Sequence, residues 1–320
     1  MRTAFANALI RAARADERIV LLTGDHGYSL FDEFRRVCPH QYLNAGVAEQ
    51  NMVGVAAGLA KGGLRPVVYG LSSFVPIRVL EQIKLDVCYE ALPVIFIGDG
   101  AGVVYSTLGS SHQSTEDIAA LRALPHMSIL SPADAHEMTA CMNLAFGATS
   151  PVYVRMGKSD VGAVHESLPD IQWGRLCPLR IGNGQVAWIA TGSMVKASLE
   201  ASCHWPESSV WSAPSLKPLD ADCVTKICQR HQALVVLEEH SIHGGLGAAV
   251  AEIATERSPT WVCRIGIADR FSHRCGSYQY LRTEHGLDTE TIIRRVEEFL
   301  TQMSRTTSAF SIQETRQTAA

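Results

Sequence analysis

The amino-acid sequence predicts an α/β protein of two domains, each a largely parallel sheet with helices on both faces. Apolar runs of strand length alternate with longer segments of helical periodicity along most of the chain. This alternation breaks between residues 166 and 182, where Pro169 and Pro178 occur. The 320 residues also suit about two domains of about 150 residues each.

The first domain is expected over residues 1–165. Within residues 3–15, Phe5, Leu9, Ile10 and Ala13 share one helical face, which predicts a helix. The same criteria predict strands at residues 19–22, 42–44, 67–69, 94–97, 128–130 and 152–154, and helices at residues 30–37, 48–61, 79–89, 116–124 and 133–146. Residues 99–113 form a predicted loop of about 15 residues, and loops of that length are usually functional.

The second domain is expected over residues 183–303, after a linker at residues 166–182. The alternation predicts strands at residues 186–190, 209–211 and 234–237, and helices at residues 195–201, 221–230 and 289–300, with one more beginning near Gly247. From Ser304 onwards Ser, Thr and Gln dominate, so we expect residues 304–320 to be a disordered tail.

Composition disfavours several classes of protein. Lys and Arg total 28 against 32 Asp and Glu, and this balance does not suit a surface that binds nucleic acid. No apolar run approaches the roughly 20 residues of a membrane helix, and the N-terminus lacks a signal-peptide core. Nine Cys without a Cys-x-x-Cys pair indicate a reduced compartment. We therefore expect a cytoplasmic enzyme with neither nucleic acid nor membrane as partner.

Residues 44–52, NAGVAEQNM, give the strongest local signal, because they place one carboxylate, Glu49, in the first turn of a helix with mostly apolar neighbours. One interpretation is an acid that complements the helix dipole. The other is a buried acid that donates or accepts a proton in catalysis. The segment by itself leaves both interpretations open.

This segment resembles the pyrimidine-binding domain of the transketolase superfamily of thiamine-diphosphate enzymes. Further stretches resemble that superfamily in consistent order over about residues 2–300: YGLSSF at 69–74, RVLEQI at 78–83, GSSHQ at 109–113, LRALP at 121–125, SPAD at 131–134, VYVR at 152–155, LKPLD at 216–220 and EEHSIHGGLG at 238–247. The last two resemble the C-terminal domain of the superfamily.

The resemblance implies roles at the cofactor. The glutamate matching Glu49 bonds the N1′ nitrogen of the aminopyrimidine and favours the imino form that removes the proton from C2. A carboxylate suits this role because its hydrogen bond to a protonated nitrogen is charge-assisted. Phe74 would stack on the pyrimidine ring, although a core Phe behind a strand is the simpler interpretation. Leu71 and Ile77 would border the same ring.

The resemblance also implies roles at the substrate. His112 would face the substrate and assist proton movement, unless it is an ordinary histidine of a surface loop. Arg155 matches an arginine that holds the substrate phosphate in transketolases, the alternative being a strand-end arginine in a salt bridge. Asp25 and His26 lie near a polar turn that reaches the active site in the family. Leu108 stands where many transketolases have an aspartate that contacts the sugar, which suggests a modified sugar as donor.

Full-length transketolases bind Mg²⁺ and the diphosphate through an N-terminal domain that this sequence does not match. Gly98-Asp99-Gly100 resembles the Mg²⁺-binding motif of that domain. However, no Asn occurs between Gly100 and Asn143, where the motif requires one. We therefore expect no metal ligand in this chain. The resemblance implies an N-terminal partner subunit that supplies the Mg²⁺ ligands, with thiamine diphosphate at the interface and a homodimer contact between two copies of this chain.

The sequence thus predicts the C-terminal, beta-type subunit of a split transketolase, which transfers a two-carbon ketol unit from a ketose donor to an aldose acceptor. A sugar or sugar phosphate would be the substrate. One alternative is the beta subunit of a 2-oxo acid dehydrogenase or a relative of deoxyxylulose-phosphate synthase, acting on pyruvate-like donors. Another is a non-catalytic binding module that has kept the fold.

Overall fold

Two sheets form the framework of the protein, one of seven strands and one of five. The computed structural model describes residues 1–157 and 162–318. The strands are β1 (Ile19–Thr23), β2 (Tyr42–Asn44), β3 (Arg65–Leu71), β4 (Ile95–Asp99), β5 (Ser128–Leu130), β6 (Val152–Met156), β7 (Cys177–Arg180), β8 (Val186–Ala190), β9 (Ser209–Ser212), β10 (Ser215–Lys217), β11 (Ala233–Ser241) and β12 (Trp261–Ile267).

Helices connect most of these strands. They are α1 (Arg2–Ala15), α2 (Asp32–Val37), α3 (Glu49–Lys61), α4 (Leu80–Gln82), α5 (Asp117–Arg122), α6 (Ala135–Gly147), α7 (Met194–Ala201), α8 (Ala221–Arg230), α9 (Leu246–Arg257), α10 (Tyr278–Glu284) and α11 (Thr289–Thr318). Where the sequence predicts one helix over residues 79–89, the chain forms a 3-10 turn (Ile77–Val79), α4 and a π-helical segment (Ile83–Cys88).

The larger sheet has the strand order β10-β5-β6-β4-β3-β1-β2, and every pair in it is parallel except β10 with β5. Its strands are apolar on both sides because helices cover both faces. In β4, Phe96 packs in one core cluster with Met52 of α3, whereas Ile95 and Ile97 pack in a second cluster with Phe5 of α1.

The smaller sheet has the order β12-β11-β8-β9-β7 and is parallel except for β7 with β9. Trp188 of β8 is fully buried in its core. The predicted α/β class with two largely parallel sheets is therefore confirmed.

Two details differ from the sequence-based expectation of domain boundaries. The expected linker at residues 166–182 contains β7, which joins the smaller sheet as its edge strand, where Pro178 is tolerated because an edge can lack a donor. The expected tail at residues 304–320 begins inside α11, which continues to Thr318. No Gly or Pro occurs between Thr289 and Thr318 to end the helix, and residues 319–320 lie outside the described part.

One strand connects the two halves of the chain. β10 follows β9 of the smaller sheet, yet it pairs antiparallel with β5 at the edge of the larger sheet. Within the described residues, no helix is both long and apolar enough to cross a membrane.

Candidate active site

The residues singled out by the sequence follow the carboxyl ends of neighbouring parallel strands. Glu49 follows β2, Phe74 follows β3 and His112 lies in the long loop after β4. The carboxyl ends of parallel strands meet at one edge of a sheet, and this edge is where α/β proteins bind ligands. The topology therefore brings residues that are far apart in sequence to a single edge.

Glu49 is the first residue of α3 and its side chain is only 6% exposed. The chain turns into this helix through Gly46, whose φ of 69° favours glycine. Arg78 lies beside the carboxylate, with its Nη1 3.2 Å from Oε1 of Glu49. A buried carboxylate requires such a partner, and the N-terminus of a helix also stabilises negative charge.

Arg78 also contacts Phe74, because the central carbon of its guanidinium lies 3.8 Å from the centroid of the Phe74 ring. His112 approaches the same ring edge to face, with 5.3 Å between the two ring centroids. Glu49, Arg78, Phe74 and His112 therefore form one continuous cluster. The sequence assigns no role to Arg78. It begins the stretch RVLEQI and stands as a single cation between the apolar residues 74–77 and 79–80.

The turn after β3 presents Phe74 to this cluster. The amides of Phe74 and Val75 both donate to the carbonyl of Leu71, at 2.8 and 2.7 Å. Leu71, at the end of β3, and Ile77, at the start of the following 3-10 turn, are both partly buried on either side of Phe74 in the chain. That these two side chains border a bound pyrimidine ring remains a prediction.

The loop that carries His112 is held by the second half of the chain. Ser272 donates from its hydroxyl to Oε1 of Gln113 at 2.8 Å and lies 2.9 Å from Nε2 of His285. The amide of Gly276 donates to the carbonyl of Ser106 at 3.3 Å. Residues 272–276 lie about 160 positions from this loop, so periodicity could not predict the contact.

Arg155 is buried and bonded to acceptors of the protein, and its role in binding a substrate phosphate remains a prediction. It is 3% exposed, and its Nε donates to Oδ2 of Asp117 at 2.8 Å. Its Nη2 donates to the carbonyls of Ser114, at 3.2 Å, and Glu239, at 2.9 Å. The salt bridge of the structural alternative is therefore present, and the hydrogen bond to Glu239 ties the two halves of the chain together.

Asp117 is the buried anion that holds Arg155. Burial opposes ionisation of its carboxyl, but the charge of Arg155, with smaller contributions from His240 and Tyr153, holds the pKa of Asp117 below its ordinary value. The Tyr153 hydroxyl donates to Oδ2 of Asp117 at 2.7 Å. These hydrogen bonds to Asp117 hold the Arg155 side chain in the protein interior.

His240 belongs to the same buried region between the two halves. The amide of Ala119 donates to its Nε2 at 3.3 Å, so Nδ1 carries the proton and donates to the carbonyl of Ser241 at 2.8 Å. Burial lowers the pKa of His240 to about 4, although the charge of Asp117 opposes this change. The neighbouring Glu238 accepts from two amides of α9, and burial raises the pKa of its carboxyl to about 7.

Asp25 and His26 follow β1, which lies between β2 and β3 at the same edge of the sheet. Asp25 is exposed and accepts a hydrogen bond from the Tyr28 hydroxyl at 2.8 Å. His26 packs against Tyr69 with 5.7 Å between ring centroids. Both therefore lie at the same edge of the sheet, one strand away from Glu49 and Phe74, and His26 is only partly buried.

Gly98-Asp99-Gly100 is an internal structural feature. The Asp99 carboxylate accepts hydrogen bonds from the hydroxyls of Tyr69, at 2.6 Å, and Tyr105, at 3.2 Å, and lies 3.5 Å from Nε of Arg2. Among the described residues, no group of three or more His, Cys, Asp or Glu is arranged to hold a metal ion. Leu108, in the loop that follows, is 53% exposed.

Comparison with known proteins finds two family models in this chain. The model described as "Transketolase, pyrimidine binding domain" matches residues 1–164, and "Transketolase, C-terminal domain" matches residues 179–292. Among solved structures, "Split gene transketolase, inactive beta4 tetramer" is similar with a TM-score of 0.85 and 33% identity, covering 94% of this chain and 97% of that one.

Several curated proteins are similar over most of the chain. A subunit of the apulose-4-phosphate transketolase of Phocaeicola vulgatus is 35% identical, covering 93% of this chain and 97% of that protein. The 6-deoxy-6-sulfo-D-fructose transketolase subunit of Clostridium sp. is 32% identical, covering 93% and 94%. The 1-deoxy-D-xylulose-5-phosphate synthase of Pelotomaculum thermopropionicum is 34% identical, covering 91% of this chain but only 47% of that protein.

Proposed function

Because the chain belongs to the transketolase family, we propose that it is the C-terminal subunit of a two-component transketolase. In this proposal it transfers a two-carbon ketol unit from a ketose donor to an aldose acceptor with thiamine diphosphate. The observation that carries the proposal is the cluster in which Arg78 contacts both the buried Glu49 carboxylate and the face of Phe74, with His112 packed against the same ring.

The residues of this cluster suit the aminopyrimidine half of thiamine diphosphate. A carboxylate held out of water can keep a proton on a ring nitrogen through a charge-assisted hydrogen bond, which is the role we assign to Glu49. A flat aromatic face suits a flat heterocycle, so Phe74 would stack on the ring, bordered by Leu71 and Ile77. When bound, the cofactor supplies an acidic carbon and an electron sink for the cleavage of a carbon–carbon bond.

His112 is the residue we assign to the substrate. Its Nδ1 lies 3.0 Å from the hydroxyl of Ser111, so the other ring nitrogen remains for a substrate oxygen. There it would donate a hydrogen bond to the oxygen that gains negative charge, or move a proton to it. Asp25 and His26 would contribute polar groups from the adjacent strand end.

The ligands for Mg²⁺ and the diphosphate come, in this proposal, from an N-terminal partner subunit. Within the part of the chain that the structure describes no metal-binding cluster occurs, and Asp99 is occupied by Tyr69, Tyr105 and Arg2. Two relatives named as transketolase subunits have nearly the same length as this chain. The similar beta tetramer is described as inactive, which supports a chain that needs a partner.

We further propose an assembly of two copies of each subunit, with a contact between the two copies of this chain. Sites of the family lie between chains, and the similar solved structure is an oligomer. All nine cysteines are free thiols in the structure, and we propose that the assembly works in the cytoplasm.

The donor we propose is a modified sugar phosphate or a similar anionic sugar. Leu108 replaces a sugar-contacting aspartate of the family, and its side chain is largely exposed at the site loop. Arg155 is buried and bonded to Asp117, so in this proposal we assign the anionic end of the substrate to other residues. The relatives named for apulose 4-phosphate and for a sulfo sugar are consistent with unusual donors.

A second candidate is a synthase that decarboxylates pyruvate, favoured by the 34% identity to 1-deoxy-D-xylulose-5-phosphate synthase. A 2-oxo acid dehydrogenase subunit and a non-catalytic module are further alternatives. Assays of the assembled enzyme with pyruvate and with ketose phosphates separate these candidates. The proposal expects turnover of a ketose phosphate and none of pyruvate.

Replacement of the carboxylate tests the assigned mechanism. In the assembled enzyme, Glu49→Gln should lower kcat by about a hundredfold or more, because a neutral amide cannot stabilise the proton that the carboxylate keeps on the ring nitrogen. Glu90→Gln is the matched control, since Glu90 pairs with Lys61 on the surface, 2.6 Å away. Wild-type turnover by the Glu49→Gln enzyme would contradict the role of this residue.

A further inference from the structure

We propose that the Arg78 guanidinium occupies the position of the cofactor's aminopyrimidine ring and has to swing away before the ring can bind. This inference rests on the proposed function, since it takes Glu49 and Phe74 as the contacts of that ring. In this inference Arg78 lowers the affinity for the cofactor and, while the cofactor is absent, pairs with the buried Glu49 carboxylate.

The geometry supports a direct competition. A bound aminopyrimidine has to lie on the face of Phe74 and bond the carboxylate of Glu49 at the same time. Arg78 already does both: its planar guanidinium lies 3.8 Å above the Phe74 ring, and its Nη1 lies 3.2 Å from Oε1 of Glu49. One guanidinium thus covers a face of Phe74 and holds the Glu49 carboxylate at the same time.

There is no room for both planar groups at this face. Carbon atoms in van der Waals contact lie about 3.5–4.0 Å apart, so a guanidinium at 3.8 Å is already in contact with the ring. A heterocycle cannot be inserted between them. Because the Arg78 side chain is 45% exposed, whereas that of Glu49 is 6% exposed, the arginine is the partner that can move into solvent.

The exchange gives the buried carboxylate a partner both before and after the cofactor binds. A lone charge in the interior is costly, and Arg78 supplies its partner until the pyrimidine nitrogen takes over. Arg78 should thus stabilise the chain and at the same time weaken cofactor binding. These two effects have opposite signs, and this combination distinguishes a displaced residue from one that simply helps to build the site.

The experiment is calorimetric titration of thiamine diphosphate, with Mg²⁺, into the assembled two-subunit enzyme. Arg78→Met preserves side-chain length and removes the charge, so it should tighten binding by about three- to thirtyfold, the combined size of an exposed cation–π contact and an exposed ion pair. Arg78→Lys should bind with intermediate affinity, because it keeps the charge without the planar fork.

Thermal unfolding of the same variants without cofactor provides the second readout. Arg78→Met should unfold at a lower temperature than the wild type. Arg257→Met is the matched control, because Arg257 is 48% exposed and pairs with Asp222 on the surface, 2.7 Å away. It should leave the dissociation constant of the cofactor unchanged. Equal or weaker cofactor binding by Arg78→Met than by the wild type would overturn the inference. If the Met variant does not assemble, equal or weaker binding by Arg78→Lys would overturn it.

Glu49→Gln in the same titration separates failure of this inference from failure of the proposed function. If Glu49→Gln weakens binding but Arg78→Met and Arg78→Lys do not tighten it, Arg78 stays in place and only the inference is wrong. If Glu49→Gln binds the cofactor as well as the wild type, the ring does not lie at Glu49, and both are wrong.

Discussion

Arg155→Met is the variant that best separates a structural arginine from a substrate-binding one. The Arg155 side chain is 4% exposed and that of Asp117 is fully buried, with 2.8 Å between Nε and Oδ2. Methionine has a similar length but no donors. The substitution therefore leaves the Asp117 carboxylate without its cation and the carbonyls of Ser114 and Glu239 without a donor.

The size of the effect follows from this burial. Removing one member of a buried, hydrogen-bonded ion pair costs about 3–5 kcal/mol, because the other charge remains in the interior. For a chain of 320 residues, an unfolding entropy of about 2.1 cal/mol/K per residue gives about 0.7 kcal/mol/K. A loss of about 4 kcal/mol therefore lowers the unfolding midpoint by about 6 °C.

The assay is thermal unfolding of the purified chain. Arg294→Met, which removes an exposed pair with Glu298, should leave the midpoint unchanged. The double variant Asp117→Asn/Arg155→Met should be less destabilised than the two single variants added together, by about 1–3 kcal/mol. The reasoning is refuted if Arg155→Met keeps the wild-type midpoint and raises KM at least tenfold for phosphorylated substrates alone.

Three further predictions concern Asp99, His240 and Ser272. Asp99→Asn should lower the unfolding midpoint, because the Tyr69 hydroxyl loses a charged acceptor. The Mg²⁺ concentration for half-maximal activity of the assembled enzyme should stay unchanged. A changed Mg²⁺ requirement would make Asp99 a metal ligand. His240 has a folded-state pKa of about 4, below its ordinary value, so its contribution to stability is lost as pH falls from about 6.5 to 4, by about 3 kcal/mol. His240→Asn should remove that part of the pH dependence in unfolding curves, and an unchanged slope would contradict it. Ser272→Ala removes the hydrogen bond to Gln113 that holds the loop of His112, so kcat should fall about two- to tenfold with little change in the unfolding midpoint. An unchanged kcat would show that the loop does not need this hydrogen bond.

The sequence predicts much of the sheet framework because its strands are continuous apolar runs. Residues 94–97 are predicted as a strand on that basis, and β4 is almost entirely buried between two core clusters. The position of Glu49 after β2 also follows from local pattern, since a strand, a turn and an apolar helix succeed one another within residues 42–61.

The features that the sequence does not predict depend on contacts between distant residues. The buried partner of Arg155 is Asp117, which lies 38 positions away on another element. Arg78 reaches Glu49 only because the turn after β3 returns the chain to the start of α3, 29 positions earlier. The pairing of β10 with β5 in the larger sheet likewise depends on tertiary contacts, which sequence periodicity does not encode.

The central claim is that this chain holds one half of a thiamine-diphosphate site and needs a partner for the other half. Calorimetric titration of thiamine diphosphate with Mg²⁺ into the purified chain, alone and mixed with an N-terminal transketolase subunit from the same genome, tests it most directly. We predict binding only in the mixture, and weaker binding when the chain carries Glu49→Gln. Tight binding by the chain alone would contradict the claim, because the diphosphate site would then lie within this polypeptide.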